Sequence, residues 1–234
     1  MRKIVKYIPN SITCLNLFAG SIASVSALEG HLQQACWFVV AAAFFDFMDG
    51  FAARGLKAYS LIGKELDSLA DVVSFGFAPS CLVFTLLRAK IGGDGFGVID
   101  YMPYMSFLLV VFSALRLAKF NVDDRQTTSF IGLPTPANAL FWVGIASNQA
   151  GQFQFDMSLT LLSVLVLLFS ALLVINLPMF SLKVSEIVFR AIYKQLFLLI
   201  SGIVLISIFG LFGLSLTIFL YVVSSLLVKL LNLD

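Results

Sequence analysis

Long apolar runs separated by short polar clusters pattern almost the whole chain. A helix that crosses a bilayer needs about 20 mainly apolar residues, within a range of roughly 17–25. By that measure a first span covers residues 10–29 and stops at Glu29-Gly30-His31. A second covers 32–54, with Asp46, Asp49 and Arg54 near its end. A third covers 64–88, with Asp67 and Asp71 near its start, and a fourth covers 101–120. Pro134 and Pro136 precede a fifth over 137–154, since Pro suits a first helical turn. A sixth covers 157–178 and ends at Pro178. Lys183, Glu186, Arg190 and Lys194 then mark a segment expected to lie along the membrane surface. The last block, 195–228, carries no charge. As one straight helix it would be about 51 Å long, against a hydrocarbon core of roughly 30 Å. Gly210 and Gly213 near its middle divide it into two short spans. The expected fold is all-α, a polytopic transmembrane bundle of about eight spans within a range of six to eight. It forms a single membrane-embedded domain over 1–234, because the longest connections, 89–100 and 121–136, leave no room for a soluble one.

Composition turns this pattern into an exclusion. Hydrophobic residues make up 60% of the 234 and charged residues 12%, with 24 Phe. Soluble domains run at roughly 45–50% and about 25%. Mean hydropathy is +0.99. A soluble enzyme, a disordered chain and a disulfide scaffold are all excluded. Cys14, Cys36 and Cys81 sit in apolar stretches without paired spacing and read as small hydrophobes. The apolar run behind Met1-Arg2-Lys3 has no small-residue cleavage site and reads as a retained first helix.

The net charge of +2 says little, and no nucleic-acid partner is expected; the positions of the charges say more. With the N-terminus cytoplasmic, all of the 15 Lys and Arg except Arg88 and Lys90 fall in cytoplasmic segments. The positive-inside rule therefore supports both the span count and the orientation, and places the chain in a cytoplasmic membrane.

Charge inside a membrane helix is costly and marks function. Asp46 and Asp49 are i,i+3 neighbours; Asp67 and Asp71 are i,i+4 neighbours. Each pair projects from one helix face. A short loop joins the two helices, so the pairs sit at similar depth and can face each other. Four like charges repel, and Arg54 alone cannot neutralise them. An all-carboxylate set without His or Cys suits a hard cation, Mg²⁺ or Mn²⁺. Four carboxylates suffice for two ions, a common apparatus for phosphoryl chemistry. Gly50 and Ala53 leave backbone open to a bulky ligand. The alternative is a solvated turn whose acids point into water.

Written out, the stretch is Asp46-x2-Asp49-Gly50-x2-Ala53-Arg54-x8-Gly63-x3-Asp67-x3-Asp71. It resembles the signature of the CDP-alcohol phosphotransferases at all of its positions. That family comprises integral membrane enzymes that displace CMP from a CDP-linked lipid or alcohol by attack of a second alcohol's hydroxyl. The resemblance implies that Asp46, Asp49 and Asp67 are metal ligands and that Asp71 is the general base and a further ligand. It implies nucleotide-binding roles for Gly50 and Arg54, and a diphosphate contact for Ser60. Pro9-Asn10-Ser11-Ile12-Thr13 is similar to the start of the family's first helix, where the Asn and Thr contact the CDP-lipid. Without that likeness, Asn10 and Thr13 are ordinary helix-capping types. The resemblance also implies a homodimer.

The stretches Leu66–Gly76, Arg116–Asn121 and Gly132–Pro136 resemble the phosphatidylserine-forming branch of the family. The likeness covers residues 8–140, the expected catalytic portion; the spans over 157–234 carry little of it. It implies CDP-diacylglycerol as donor and L-serine as acceptor. The chemistry agrees: Arg116 and Lys119 are i,i+3 and expected on one face, where either can bind the serine carboxylate, and Asn121 adds a donor and an acceptor. Two other readings stand beside this one. Arg116 and Lys119 can snorkel to the membrane surface, or hold a phosphate of the substrate lipid. Pro134-Thr135-Pro136 reads as a structural helix start, and His31 receives no role. Glycerol 3-phosphate or inositol is the alternative acceptor, although a phosphorylated one needs more clustered cations. A divalent-cation transporter would instead place its acids near the midplane in broken helices, with an inverted repeat. Here the acids lie near one face, and the cluster has no second copy.

Overall fold

The computed structural model describes residues 7–91, 97–122, 130–149, 156–175, 178–179 and 189–230. Among these residues the chain is helical except for one two-residue strand pair. Helix α1 (Tyr7–Leu28) and helix α2 (Leu32–Gly55) form an antiparallel hairpin. Gly30 makes the reversal with φ +84°, a conformation that costs a glycine little. Helix α3 runs over Leu61–Ile91 and α4 over Val98–Val122. Strand β1 (Phe130–Ile131) precedes α5 (Thr135–Gln149), and α6 (Leu159–Val174) precedes strand β2 (Pro178–Met179), its antiparallel partner. Helices α7 (Phe189–Phe209) and α8 (Phe212–Leu230) form a closing hairpin. The described residues thus form eight helices, in line with the expected all-α bundle of about eight spans. Helices α1 to α4 are long and apolar enough to cross a membrane, while α6 and much of α7 and α8 are shorter apolar helices.

Small residues set how closely the helices approach, as in membrane bundles generally. The buried face of α1 is built from Ala19, Gly20, Ala23, Ser24 and Ala27. A Cβ on Gly20 would lie 2.6 Å from the Cα of Ser74 on α3, so only glycine fits there. The Ser74 hydroxyl donates to the Asn16 carbonyl at 3.0 Å. A second centre lies between α5 and α6, where Phe141 stacks on Phe169 at 3.8 Å and Trp142 meets Phe169 edge-on. Large apolar side chains such as Phe44, Phe47 and Phe51 on α2 stay exposed. Lipid covers such a face at no cost.

Several boundaries differ from those read in the sequence, each for a local reason. α3 begins at Leu61 because Ser60 caps it. α6 ends at Val174, short of Pro178; the N–H of Leu133 takes the Leu172 carbonyl at 3.0 Å and satisfies that helix end. The uncharged block does divide, with Gly210 at φ +58°. However, α7 already starts at Phe189, so Arg190 and Lys194 lie on its first turns and not on a separate surface segment. Lys183 and Glu186 lie outside the described residues.

Candidate active site

The connection between α2 and α3 is short and well hydrogen-bonded. Lys57 N–H donates to the Arg54 carbonyl at 3.3 Å and Ala58 N–H to the Ala53 carbonyl at 3.0 Å. This is the double closure that ends a helix with a left-handed residue, and Lys57 supplies that residue at φ 50°. Ser60 then caps α3, its Oγ accepting from Gly63 N–H at 3.0 Å. The last turns of α2 thereby lie beside the first turns of α3.

That arrangement brings Asp46, Asp49 and Asp67 together, with one carboxylate oxygen of each within 4.8 Å of the others. Asp71, one turn further along α3, stands outside this three-way group. Its carboxyl comes within hydrogen-bonding reach of Asp46. Thr13 donates to the Pro9 carbonyl at 3.0 Å and also lies within hydrogen-bonding reach of Asp49. Asp49 and Asp71 are buried. Among the described residues no Lys, Arg or His forms a salt bridge with any of the four. Asp49 Oδ2, Asp67 Oδ1 and Asp71 Oδ1 are buried without a hydrogen-bond partner. Orphaned carboxylate oxygens, converging without a nitrogen or sulfur ligand, fit a hard divalent cation.

A cavity of ≈ 260 Å³ opens beside the carboxylates, lined by Asn10, Thr13, Asp49, Gly50, Arg54, Ser60, Gly63, Lys64 and Asp67, among others. Gly63 is there for space, while Gly50 lies against Arg54. A Cβ on Gly63 would fall 2.8 Å from Asn10 Oδ1 and 2.9 Å from Ser60 Oγ. A Cβ on Gly50 would sit 3.5 Å from Arg54 Nη1, so the guanidinium folds over Gly50. Asn10 and Thr13 lie inside α1, so neither caps its start. Sequence reasoning passed over Lys64 and Tyr59, which also line the cavity. Lys64 carried a readable signal, since a basic residue near a helix N-terminus opposes the helix dipole and suits an anionic ligand.

Immediately beyond Asp71, α3 widens into a π-helical segment, Val72–Phe77. Such segments are frequent at functional sites, and this one packs against α1, α2, α4 and α5. Nothing in the sequence marks it. On α4, Arg116 and Lys119 prove to be in different surroundings. Arg116 is buried, interacts electrostatically with Asp71 and lies 5.9 Å from the Phe120 ring centroid, whereas Lys119 is exposed. They stand one turn apart on the same helix, but Arg116 lies on its inner side and Lys119 at its exposed edge. Asn121 works as a tie: its Nδ2 donates to Ser68 Oγ at 2.8 Å, and its carbonyl accepts from Lys64 Nζ at 3.3 Å.

Set against known proteins, the chain belongs to the CDP-alcohol phosphatidyltransferase family, whose family model matches residues 6–189. The three carboxylates form a group able to hold a metal ion, in a family that is generally metal dependent. Over 137 residues, 58% of this chain, it is 39% identical to a CDP-diacylglycerol–serine O-phosphatidyltransferase of Helicobacter pylori. Over 132 residues, 56% of the chain, it is 38% identical to a protein of the same name from Bacillus subtilis. Over 143 residues, 59% of the chain, it is 33% identical to an archaetidylserine synthase of Methanothermobacter thermautotrophicus. These matches span 55%, 71% and 58% of the respective relatives' lengths.

Proposed function

We propose that this protein transfers a phosphatidyl group from CDP-diacylglycerol to the hydroxyl of L-serine, giving phosphatidylserine and CMP. The observation that carries the reading is the group of three carboxylates, salt-bridged to no cation among the described residues, beside a cavity that presents Arg54 and Lys64. The relatives' names supply the acceptor.

Each residue of the site has a task in that reaction. Arg54, Lys64 and Ser60 bind the donor's diphosphate at the start of α3, where the helix dipole also favours an anion. Gly50 and Gly63 leave room for it, and Asn10 and Thr13 hold the cytidine side. Asp46, Asp49, Asp67 and Asp71 hold Mg²⁺ or Mn²⁺, two ions being the number four carboxylates suit. When bound, the ions offset charge on the diphosphate and on departing CMP. Asp71, beside Arg116, accepts the proton of the serine hydroxyl. The serine oxygen then bonds to the lipid-side phosphorus, and the bond from that phosphorus to the bridging oxygen breaks. CMP leaves with the electron pair.

Residues 8–140 form the catalytic portion on this reading. The donor's acyl chains stay in the inner leaflet of the cytoplasmic membrane, the site faces the cytoplasm, and the protein works as a homodimer. The distribution of Lys and Arg supports the orientation.

The test is CMP release by the purified chain with CDP-diacylglycerol and a panel of alcohols. Serine should support turnover well above glycerol 3-phosphate and inositol. A preference for glycerol 3-phosphate would replace the acceptor assigned here.

A further inference from the structure

Away from the carboxylates, buried polar groups concentrate on one face of α5. Thr135, Asn138 and Trp142 are at i, i+3 and i+7, a single helical stripe, and all three are 0% exposed. Thr135 Oγ1, both amide atoms of Asn138 and Trp142 Nε1 hydrogen-bond to none of the described residues. Buried polar atoms nearly always have partners, and the bilayer offers none. Several orphans on one face therefore call for a ligand.

The packing of α8 shows where the stripe lies. Ser215 Oγ donates to the Phe141 carbonyl, and Ser215 abuts Gly144, so Ser215 is level with residues 141–144 of α5. Leu211, four residues before Ser215, also abuts Gly144, whereas Ser215 reaches back to Phe141, so α8 runs antiparallel to α5. Tyr221 is six residues beyond Ser215, about 9 Å along the axis. The same step back along α5 reaches Thr135–Asn138. Tyr221 is buried and interacts with Arg116, which interacts with Asp71. Ser225, one turn on, contributes another buried hydroxyl without a partner. The π segment that follows Asp71 packs against α5.

We infer that Thr135 and Asn138 form the acceptor wall of the active site, that Tyr221 positions Arg116 there, and that together they select a small zwitterionic alcohol. This rests on the serine reading above. Asn138 Nδ2 and Arg116 are donors for one carboxylate. Asn138 Oδ1 and Thr135 Oγ1 are acceptors for one ammonium. Arg116 is the single buried cation among the described residues, which matches a carboxylate better than a phosphate dianion. The α8 part of the site lies beyond residue 189, where the family match ends.

The experiment measures CMP release at varied serine and varied CDP-diacylglycerol, for wild type and for the near-isosteric variants Asn138→Leu, Thr135→Val and Tyr221→Phe. Asn138→Leu should raise the serine KM roughly 10- to 100-fold, and the other two roughly 3- to 10-fold. In each, kcat and the CDP-diacylglycerol KM should stay within about 3-fold of wild type. If Asn138→Leu does not fold, Thr135→Val decides. A lowered thermal midpoint with an unchanged serine KM overturns the inference, because a packing role alone predicts that result. So does an equal rise in both KM values. If wild type releases no CMP with serine, the function proposed above fails, and this assignment falls with it.

Discussion

Between residues 46 and 71 the chain concentrates four aspartates, together with Arg54 and Lys64; over 195–228 it has no charge at all. The two regions are held together by different means. At the α2–α3 turn, Ser60, Thr13 and the backbone closure around Lys57 fix side chains that repel one another. The α7–α8 hairpin depends on notches: a Cβ on Gly213 would lie 2.6 Å from Ile206 N, and one on Gly202 3.1 Å from Thr217 Cγ2. Apolar side chains gain little by leaving lipid for protein, so association there relies on close packing. The first region is constrained by chemistry at nearly every polar position. The second is constrained mainly by volume at a few glycines, apart from the buried Tyr221 and Ser225, while outward residues such as Ile203, Ile208 and Phe219 meet lipid and can vary. Substitutions should therefore separate activity from stability.

The largest separation is expected at Asp71. Asp71→Asn keeps shape but removes the proposed base, and CMP release should fall about 10²- to 10⁴-fold. The thermal midpoint should hold or rise, since the substitution removes a buried charge from a crowded cluster. Turnover near wild type would deprive Asp71 of any role in the chemistry.

Next comes Arg116 against Lys119. Arg116→Gln should raise the serine KM roughly 10- to 150-fold, the range of a lost charged hydrogen bond, and leave the CDP-diacylglycerol KM nearly unchanged. Serine methyl ester should be a poor acceptor for wild type, and the variant should discriminate less between the two. If the donor's KM rises instead, Arg116 holds lipid phosphate. Lys119→Gln, at an exposed position, should move neither constant by more than about 2-fold.

In the hairpin the effect reverses. Gly213→Ala forces α7 and α8 apart and should cost about 1–3 kcal/mol, read as a lower unfolding midpoint in detergent. Turnover per folded molecule at saturating serine should change far less than at Asp71, any loss falling on the serine KM through displacement of Tyr221 on α8. The smallest effect is at the α2–α3 turn, where Lys57 occupies a left-handed conformation. Lys57→Gly should stabilise by about 0.5 kcal/mol, the relief of strain being partly offset by glycine's extra entropy in the unfolded chain.

What the sequence disclosed follows the same division. Span lengths and the i,i+3 and i,i+4 spacing of the aspartates are local properties, so the eight helices and the meeting of Asp46, Asp49 and Asp67 were legible from residue order alone. The burial difference between Arg116 and Lys119 was not, because it depends on which neighbour each face of α4 meets. The π segment after Asp71 packs against four other helices, and no residue type announces it. Tyr221 was hidden for a simpler reason: in a run of apolar residues, a tyrosine in the interior and one at the lipid interface read alike. Thr135 looked like part of a proline-bounded helix start until its hydroxyl proved buried and unpartnered.

The central claim is that these carboxylates act through a divalent cation to move a phosphatidyl group onto serine. Its most direct test follows radiolabelled serine into the lipid phase with CDP-diacylglycerol, first in excess chelator and then after Mg²⁺ or Mn²⁺ is restored. No labelled lipid is expected under chelation, with recovery on adding the ion and one CMP released per labelled lipid formed. Labelled lipid forming at full rate in excess chelator would contradict it.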